Sequence, residues 1–142
     1  SWNNSQLFDA EDMSEIICDN STELNLVREK LRKFDVNNSV LIDREVLKSI
    51  CKIVMDRSAK VVATLIVGII LKIDWELNRT QLVAIDGTLY EKATGYKEKL
   101  RENIDNLLGK KKDKIKLMLT KDGSGKGAAV VAATTIATSS FK

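Results

Sequence analysis

The chain contains neither histidine nor proline among its 142 residues. Without histidine it can supply no imidazole base, no Ser/His/Asp triad and no His-containing zinc site, and a nucleophilic cysteine would lack its common partner. Without proline, no turn can be placed from that residue. Only two cysteines occur, Cys18 and Cys51. They lie far apart, outside any C-x-x-C spacing, in apolar helical stretches where a thiol behaves as a small hydrophobe, which points to a reduced, cytosolic setting. The apolar run of residues 61–71 is bracketed by Lys60 and Lys72; it is shorter than the ~20 residues of a membrane span and reads as a buried helix. Ser1-Trp2-Asn3-Asn4 shows no basic-then-apolar signal pattern and no initiator Met, so the chain is expected to be a piece of something longer. A strong excess of one charge is also missing: 23 basic and 20 acidic side chains give +3. Spread along the chain, they describe an ordinary solvated surface and do not indicate nucleic acid.

What is present suits one compact α/β unit, since 44% hydrophobic residues suffice for a single core. Met13, Ile16 and Ile17 recur at helical spacing behind first-turn acids. Ser21-Thr22-Glu23 precedes the stripe Leu24, Val27, Leu31 and Phe34, so a second helix is expected to end near Phe34. Residues 35–39 form a turn, after which Asp43 or Ser39 can cap a long apolar helix running toward Ile73. Its apolar residues fill more than one stripe, so burial over much of its circumference is expected, with Ser58, Ala59, Ala63 and Gly68 letting neighbours approach. Residues 81–86 are strand-like, 94–108 helix-like, 114–120 strand-like and 128–138 a small-residue helix, an order that implies a parallel sheet. The lysine-rich run at 109–114 reads as a solvated loop.

Two Asp-Gly turns stand out, each following a short apolar strand and opening a helix: Asp86-Gly87-Thr88-Leu89-Tyr90, and Asp122-Gly123-Ser124-Gly125-Lys126-Gly127-Ala128-Ala129. Glycine accepts positive φ, and a helix start presents unpaired N–H groups, so such turns suit a nucleotide. The bland alternative is N-capping by Thr88 and Ser124, and the two roles can coexist. The second turn is not a P-loop, because Thr120 stands where the first glycine is required and Gly127 where Ser or Thr follows the lysine. Nor does it have the G-x-G-x-x-G spacing of a dinucleotide site. Lys126 is read as solvent-facing. No carboxylate stands out as a general base.

The ordered pair of turns is more specific than either alone. V-A-I-D-G-T-L-Y followed by L-x-x-D-G-S-G-K-G-A-A resembles the end of the hexokinase family, where D-G-[ST]-[LV]-Y and D-G-S-G-x-G-A-A occur in this order. Residues 7–14 resemble that family's F-x-T-x-x-x-S segment, and residues 56–63 its V-x-x-R-[SGA]-A-x-L-x-[AG] helix. The resemblance covers nearly the whole chain. It implies that residues 1–142 are a partial domain, the C-terminal part of the large lobe of an actin-like (ribonuclease H-like) ATPase fold, carrying the adenosine-binding elements. It further implies that Thr88 and the backbone of Gly87 and Leu89 line the adenosine side, that Tyr90, Glu91 and Lys92 continue that wall, that Ser14 adds a hydroxyl, and that Gly123 and Ser124 close the far side. Ala10 stands where the family usually has a nucleotide-bonding Thr and offers no side-chain oxygen. Glu91-Lys92-Ala93-Thr94 replaces the common Lys-Leu-His-Pro.

The family's D-x-G-G-T-N turn, sugar-binding segment with its catalytic Asp, and G-T-G-x-N turn do not occur here. The resemblance therefore implies a segment that is inactive alone. The intact cytoplasmic parent is expected to transfer the γ-phosphoryl of ATP to the 6-hydroxyl of glucose or another hexose, with Mg2+ held mainly by parts absent here and the remaining lobes as partners. A non-catalytic regulatory or scaffold module is the second reading, and a structural domain with coincidental turns the third.

Overall fold

A computed structural model describes residues 7–121. Helix α1 (Ala10–Cys18) opens at Asp9, whose carboxylate accepts the Glu11 and Asp12 amides at 2.9 and 3.0 Å while Asp12 accepts the Asp9 amide at 3.3 Å. This reciprocal capping satisfies donors that a helix start leaves open. Beyond α1, the buried Asp19 carboxylate accepts the Ser21 hydroxyl at 2.7 Å, the Ser21 amide at 3.0 Å and the Val27 amide at 3.1 Å. Ser21 in turn accepts the Asn25 amide at 2.9 Å. Helix α2 (Asn25–Lys33) is thus capped from Asp19 and Ser21, across a turn in which Leu24 is left-handed (φ 48°) and buried. Lys30, buried on α2, bridges back to Asp12 and Glu15 of α1, each at 2.5 Å.

Helix α3 (Leu41–Ile73) spans 33 residues, ~50 Å at 1.5 Å each. Asp43 holds its start by accepting the Val40 amide at 2.9 Å, whereas the buried Ser39 hydroxyl makes no hydrogen bond. Arg44, Cys51, Met55, Ala59, Ala63, Val67 and Ile70 form one buried stripe along it. The expected burial around most of its circumference is not met among the described residues. Ile42, Val46, Ile50, Ile53, Val61, Leu65, Ile69 and Ile73 are at least half exposed, because α1, α2 and the following layer all pack on the other side. Gly68 also departs from expectation: among the described residues it is exposed and mediates no close approach.

The chain returns through a turn organised by Asp74, whose carboxylate accepts the Asn78 and Arg79 amides, both at 3.1 Å. Strand β1 (Gln81–Ile85) leads to the short helix α4 (Thr88–Lys92), then α5 (Tyr96–Leu108), a 3₁₀ segment (Gly109–Lys114) and β2 (Ile115–Leu119). The strands pair in parallel, Gln81 opposite Ile115 through Ile85 opposite Leu119. A parallel pair requires a crossover, and α4 and α5 supply it. The lysine-rich run is more than a solvated loop, since Lys111 and Lys114 donate to the Glu76 and Asn78 carbonyls at 2.6 and 3.4 Å.

Two apolar clusters rest on α3. Ile16, Leu24 and Val27 gather around Cys51 at its N-terminal half. Tyr96, Leu100, Ile104 and Ile115 join Met55, Ala59, Ala63 and Val67 further along. Among the described residues the fold is accordingly helix-rich α/β with a short two-stranded parallel sheet. Among the described residues no helix is long and apolar enough to cross a membrane.

Leu100 is fully buried between α3 and the sheet. Truncation to Ala is expected to cost about 2–5 kcal/mol in urea denaturation. Acid should also unfold the α1–α2 corner. Burial pushes the Asp19 carboxyl up, but hydrogen bonds from the Ser21 hydroxyl and the Val27, Ser21 and Leu26 amides outweigh it and hold Asp19 below its ordinary 3.8. A depressed folded-state pKa stabilises above the unfolded value, and that contribution is lost as pH falls through the folded value. Melting temperature should therefore drop more steeply below pH 3.8 in the wild type than in Asp19→Asn.

Candidate functional site

The first Asp-Gly turn is set by backbone geometry. Gly87, at the N-cap of α4, has φ 149° and ψ 142°, a region that side-chain-bearing residues occupy only under strain. Thr88 is consequently the first helical residue, and among the described residues no side chain caps α4, so the capping alternative for Thr88 is not met. The five-residue helix carries Leu89 toward α1, and the chain beyond it is pinned there by the Thr94 amide donating to Ser14 Oγ at 3.1 Å.

Between α1, the start of α2, α4 and the turn after α4 lies a cavity of about 500 Å³. Ala10, Ser14, Thr88, Leu89 and Lys92 all line it, five of the expected site residues brought together from two distant stretches. Three others fall elsewhere or beside it. Gly87 forms the turn that delivers Thr88. Tyr90 points into the core with Tyr96 and Leu100, and Lys97 lies over its ring, 5.5 Å from the centroid. Burial pushes the Tyr90 hydroxyl up, as does the Glu98 carboxylate. Glu91 turns the other way and pairs with Lys121 at 2.9 Å. Gly123 and Ser124, with Lys126 and the expected 128–138 helix, lie outside the described residues.

Leu26, Ala93, Thr94 and Cys18 also line the wall and are not among the residues expected from the sequence. Ala10, Ser14 and Cys18 stand four residues apart on α1, a spacing that places them on one face and could have drawn Cys18 in. Leu26 arrives by the folding of α2 onto α1 and carries no such signal. The expectation that both thiols are packed hydrophobes holds for Cys51, whose pKa is raised by burial, while Cys18 is exposed at the cavity.

Chemically the cavity combines apolar surface at Ala10, Leu26, Leu89 and Ala93 with hydroxyls at Ser14 and Thr88. Ser14 Oγ accepts the Thr94 amide and retains its own proton to donate. Three acids also line the cavity: Asp9 caps α1, Glu15 pairs with Lys30, and Glu11 stands in the first turn of α1. Such a wall suits a flat, largely apolar group with a few polar edges. Among the described residues no group of three or more Asp, Glu, Cys or His could hold a metal ion.

The sequence model of the family described as Hexokinase matches residues 1–134. The chain belongs to the hexokinase family. Hexokinase-7 of Oryza sativa subsp. japonica is 38% identical over 127 residues, covering 86% of this chain and 27% of that protein. Hexokinase-2 of Arabidopsis thaliana is 36% identical over 129 residues (85% and 26%), and Hexokinase-2 of Solanum tuberosum 36% identical over 137 residues (92% and 28%). This hexokinase chain thus spans about a quarter of the length of the curated relatives it matches.

In this hexokinase segment the Gly87 turn is the most demanding backbone feature of the cavity. A Cβ there would meet no atom of the described residues within 4 Å, so among them the penalty of Gly87→Ala comes from φ alone. The substitution should cost about 1–3 kcal/mol by chemical denaturation, without the signature of a steric clash elsewhere.

Proposed function

We propose that this segment is the adenosine-binding wall of an ATP-dependent hexokinase and lies in the large lobe of an actin-like fold. The intact enzyme transfers the γ-phosphoryl of ATP to the 6-hydroxyl of glucose or another hexose, the entry step of glycolysis, in the cytoplasm. The observation that carries this reading is the single cavity shared by Ala10 and Ser14 of one resembling motif and Thr88, Leu89 and Lys92 of another. A volume of about 500 Å³ accommodates a nucleoside, and its apolar walls with two hydroxyls match a purine and ribose.

Bound ATP supplies the phosphoryl group that is transferred. Mg2+ is proposed to be held mainly by other parts of the parent. Phosphoryl transfer needs positioned nucleotide, in-line geometry and a group accepting the hydroxyl proton. The role of this chain is the first: Leu89, Leu26 and Ala93 exclude water from the base, and Ser14 and Thr88 orient it by hydrogen bonding. Gly123 and Ser124 are proposed to close the far side. Alone, the segment is inactive.

One observation favours the second reading, a non-catalytic regulatory or scaffold module of hexokinase type. Ala10 lines the cavity with a methyl group where the family usually has a hydroxyl. Coupled ADP release with glucose and Mg-ATP, run on the full-length parent and on these 142 residues side by side, separates the two. Glucose-dependent turnover by the parent alone is expected; a folded but silent parent would favour the regulatory module. In the active parent, Ser14→Ala and Thr88→Val should each raise KM for ATP roughly 2- to 10-fold while leaving KM for glucose unchanged. Turnover by the isolated segment, or an unaltered KM for ATP in both variants, would contradict the assignment.

A further inference from the structure

The two strands end level with each other. Ile85 stands opposite Leu119, and beyond that pair the Thr120 amide donates to the Ile85 carbonyl at 2.9 Å, with the Thr120 hydroxyl donating to the same oxygen at 3.3 Å. The Asp86-Gly87 turn begins at the next residue after Ile85. In the sequence, Asp122-Gly123 begins just after Lys121. Lys121 reaches across to α4, its Nζ 2.9 Å from Glu91 Oε1. Glu91 thereby gives Lys121, two residues beyond β2, an acidic partner on α4.

We propose that the Glu91–Lys121 ion pair is a positioning brace for the nucleotide, holding α4 at a set distance from the end of β2. The inference rests on the hexokinase reading of the cavity. Helix α4 has a division of labour. Thr88, Leu89 and Lys92 face the cavity, Tyr90 anchors the helix in the core, and Glu91 is the residue that reaches β2's end. Glu91 touches no ligand in this scheme and acts through the placement of Thr88 and Leu89. The hydrogen bond and charge of Lys121 hold the Glu91 carboxyl below its ordinary range, with Lys92 and Lys97 adding to the effect, so the acid is charged at neutral pH.

The pair is solvent-accessible, with Lys121 77% and Glu91 37% exposed. An exposed ion pair contributes little to global stability. A brace of this kind is therefore expected to appear in nucleotide affinity rather than in melting temperature. This separates it from a merely structural bridge.

The test uses the full-length parent. Wild type, Glu91→Gln, Lys121→Met, Glu91→Lys and the charge swap E91K/K121E are compared for KM of ATP, KM of glucose, Kd of ADP by calorimetry, and Tm. The neutral single variants should raise KM for ATP and Kd for ADP about two- to fivefold. Glu91→Lys, which sets like charges against each other, should do more, and the swap should return both values to within about twofold of wild type. KM for glucose and Tm should not move. Unchanged ATP and ADP constants in the neutral variants, or a swap as impaired as Glu91→Lys, would overturn the brace. If the wild-type parent binds ADP but shows no glucose-dependent turnover, the catalytic reading fails and the Kd series alone decides the brace by the same criteria. A parent that binds no ADP overturns both.

Discussion

The close packing of α5 and the sheet onto α3 at Ala59 and Ala63 is the constraint on which the rest of the structure depends. Both alanines are fully buried, and their small side chains let Tyr96, Leu100 and Ile104 come against the helix. Two polar contacts fix the register of that crossing: the Ser58 and Tyr96 hydroxyls lie 3.0 Å apart, and Lys99 pairs with Asp56 at 2.6 Å. Because α5 belongs to the crossover between parallel strands, anchoring it also sets where β1 and β2 end. The Asp-Gly turn after β1, helix α4 and the cavity all follow from that placement.

A second layer of organisation comes from α1 and α2. They form a polar-stapled corner in which Asp19 and Ser21 satisfy the start of α2 and the buried Lys30 ties the helices together through Asp12 and Glu15. Removing one partner of such a buried group costs far more than the net worth of the contact, because the other is left uncompensated. The corner therefore acts as a rigid platform for Ala10 and Ser14. The bond from the Thr94 amide to Ser14 closes the platform onto the α4 turn. The cavity is in this sense a joint between two separately stabilised units resting on one helix.

Much of this was legible in the sequence. Apolar spacing located the helices, and strand spans were anticipated to within a residue: β1 and β2 begin and end inside the expected 81–86 and 114–120. The Asp-Gly signal marked the turn that builds the cavity. What could not be read is how neighbouring residues divide around a short helix. The stretch from Thr88 to Lys92 was expected to form one continuous wall, but successive helical residues are rotated by about 100°. Tyr90 therefore enters the core and Glu91 leaves for Lys121 while Thr88, Leu89 and Lys92 keep the wall. The left-handed Leu24 turn was equally hidden, since a leucine gives no sign of positive φ. The outer face of α3 is the opposite case. Its apolar pattern correctly describes a helix with two apolar sides, and the described residues cover only one of them.

In the proposed binding mode the nucleoside of ATP sits between α1 and α4. The most direct test of that mode is photolabelling of the full-length parent with an azido-ATP carrying the reactive group on the purine, followed by mass-spectrometric mapping of the modified peptides. The account predicts label on peptides containing residues 9–26 and 88–94, suppressed by unlabelled ATP. Competable label confined to peptides outside these stretches would place the base elsewhere and contradict the account.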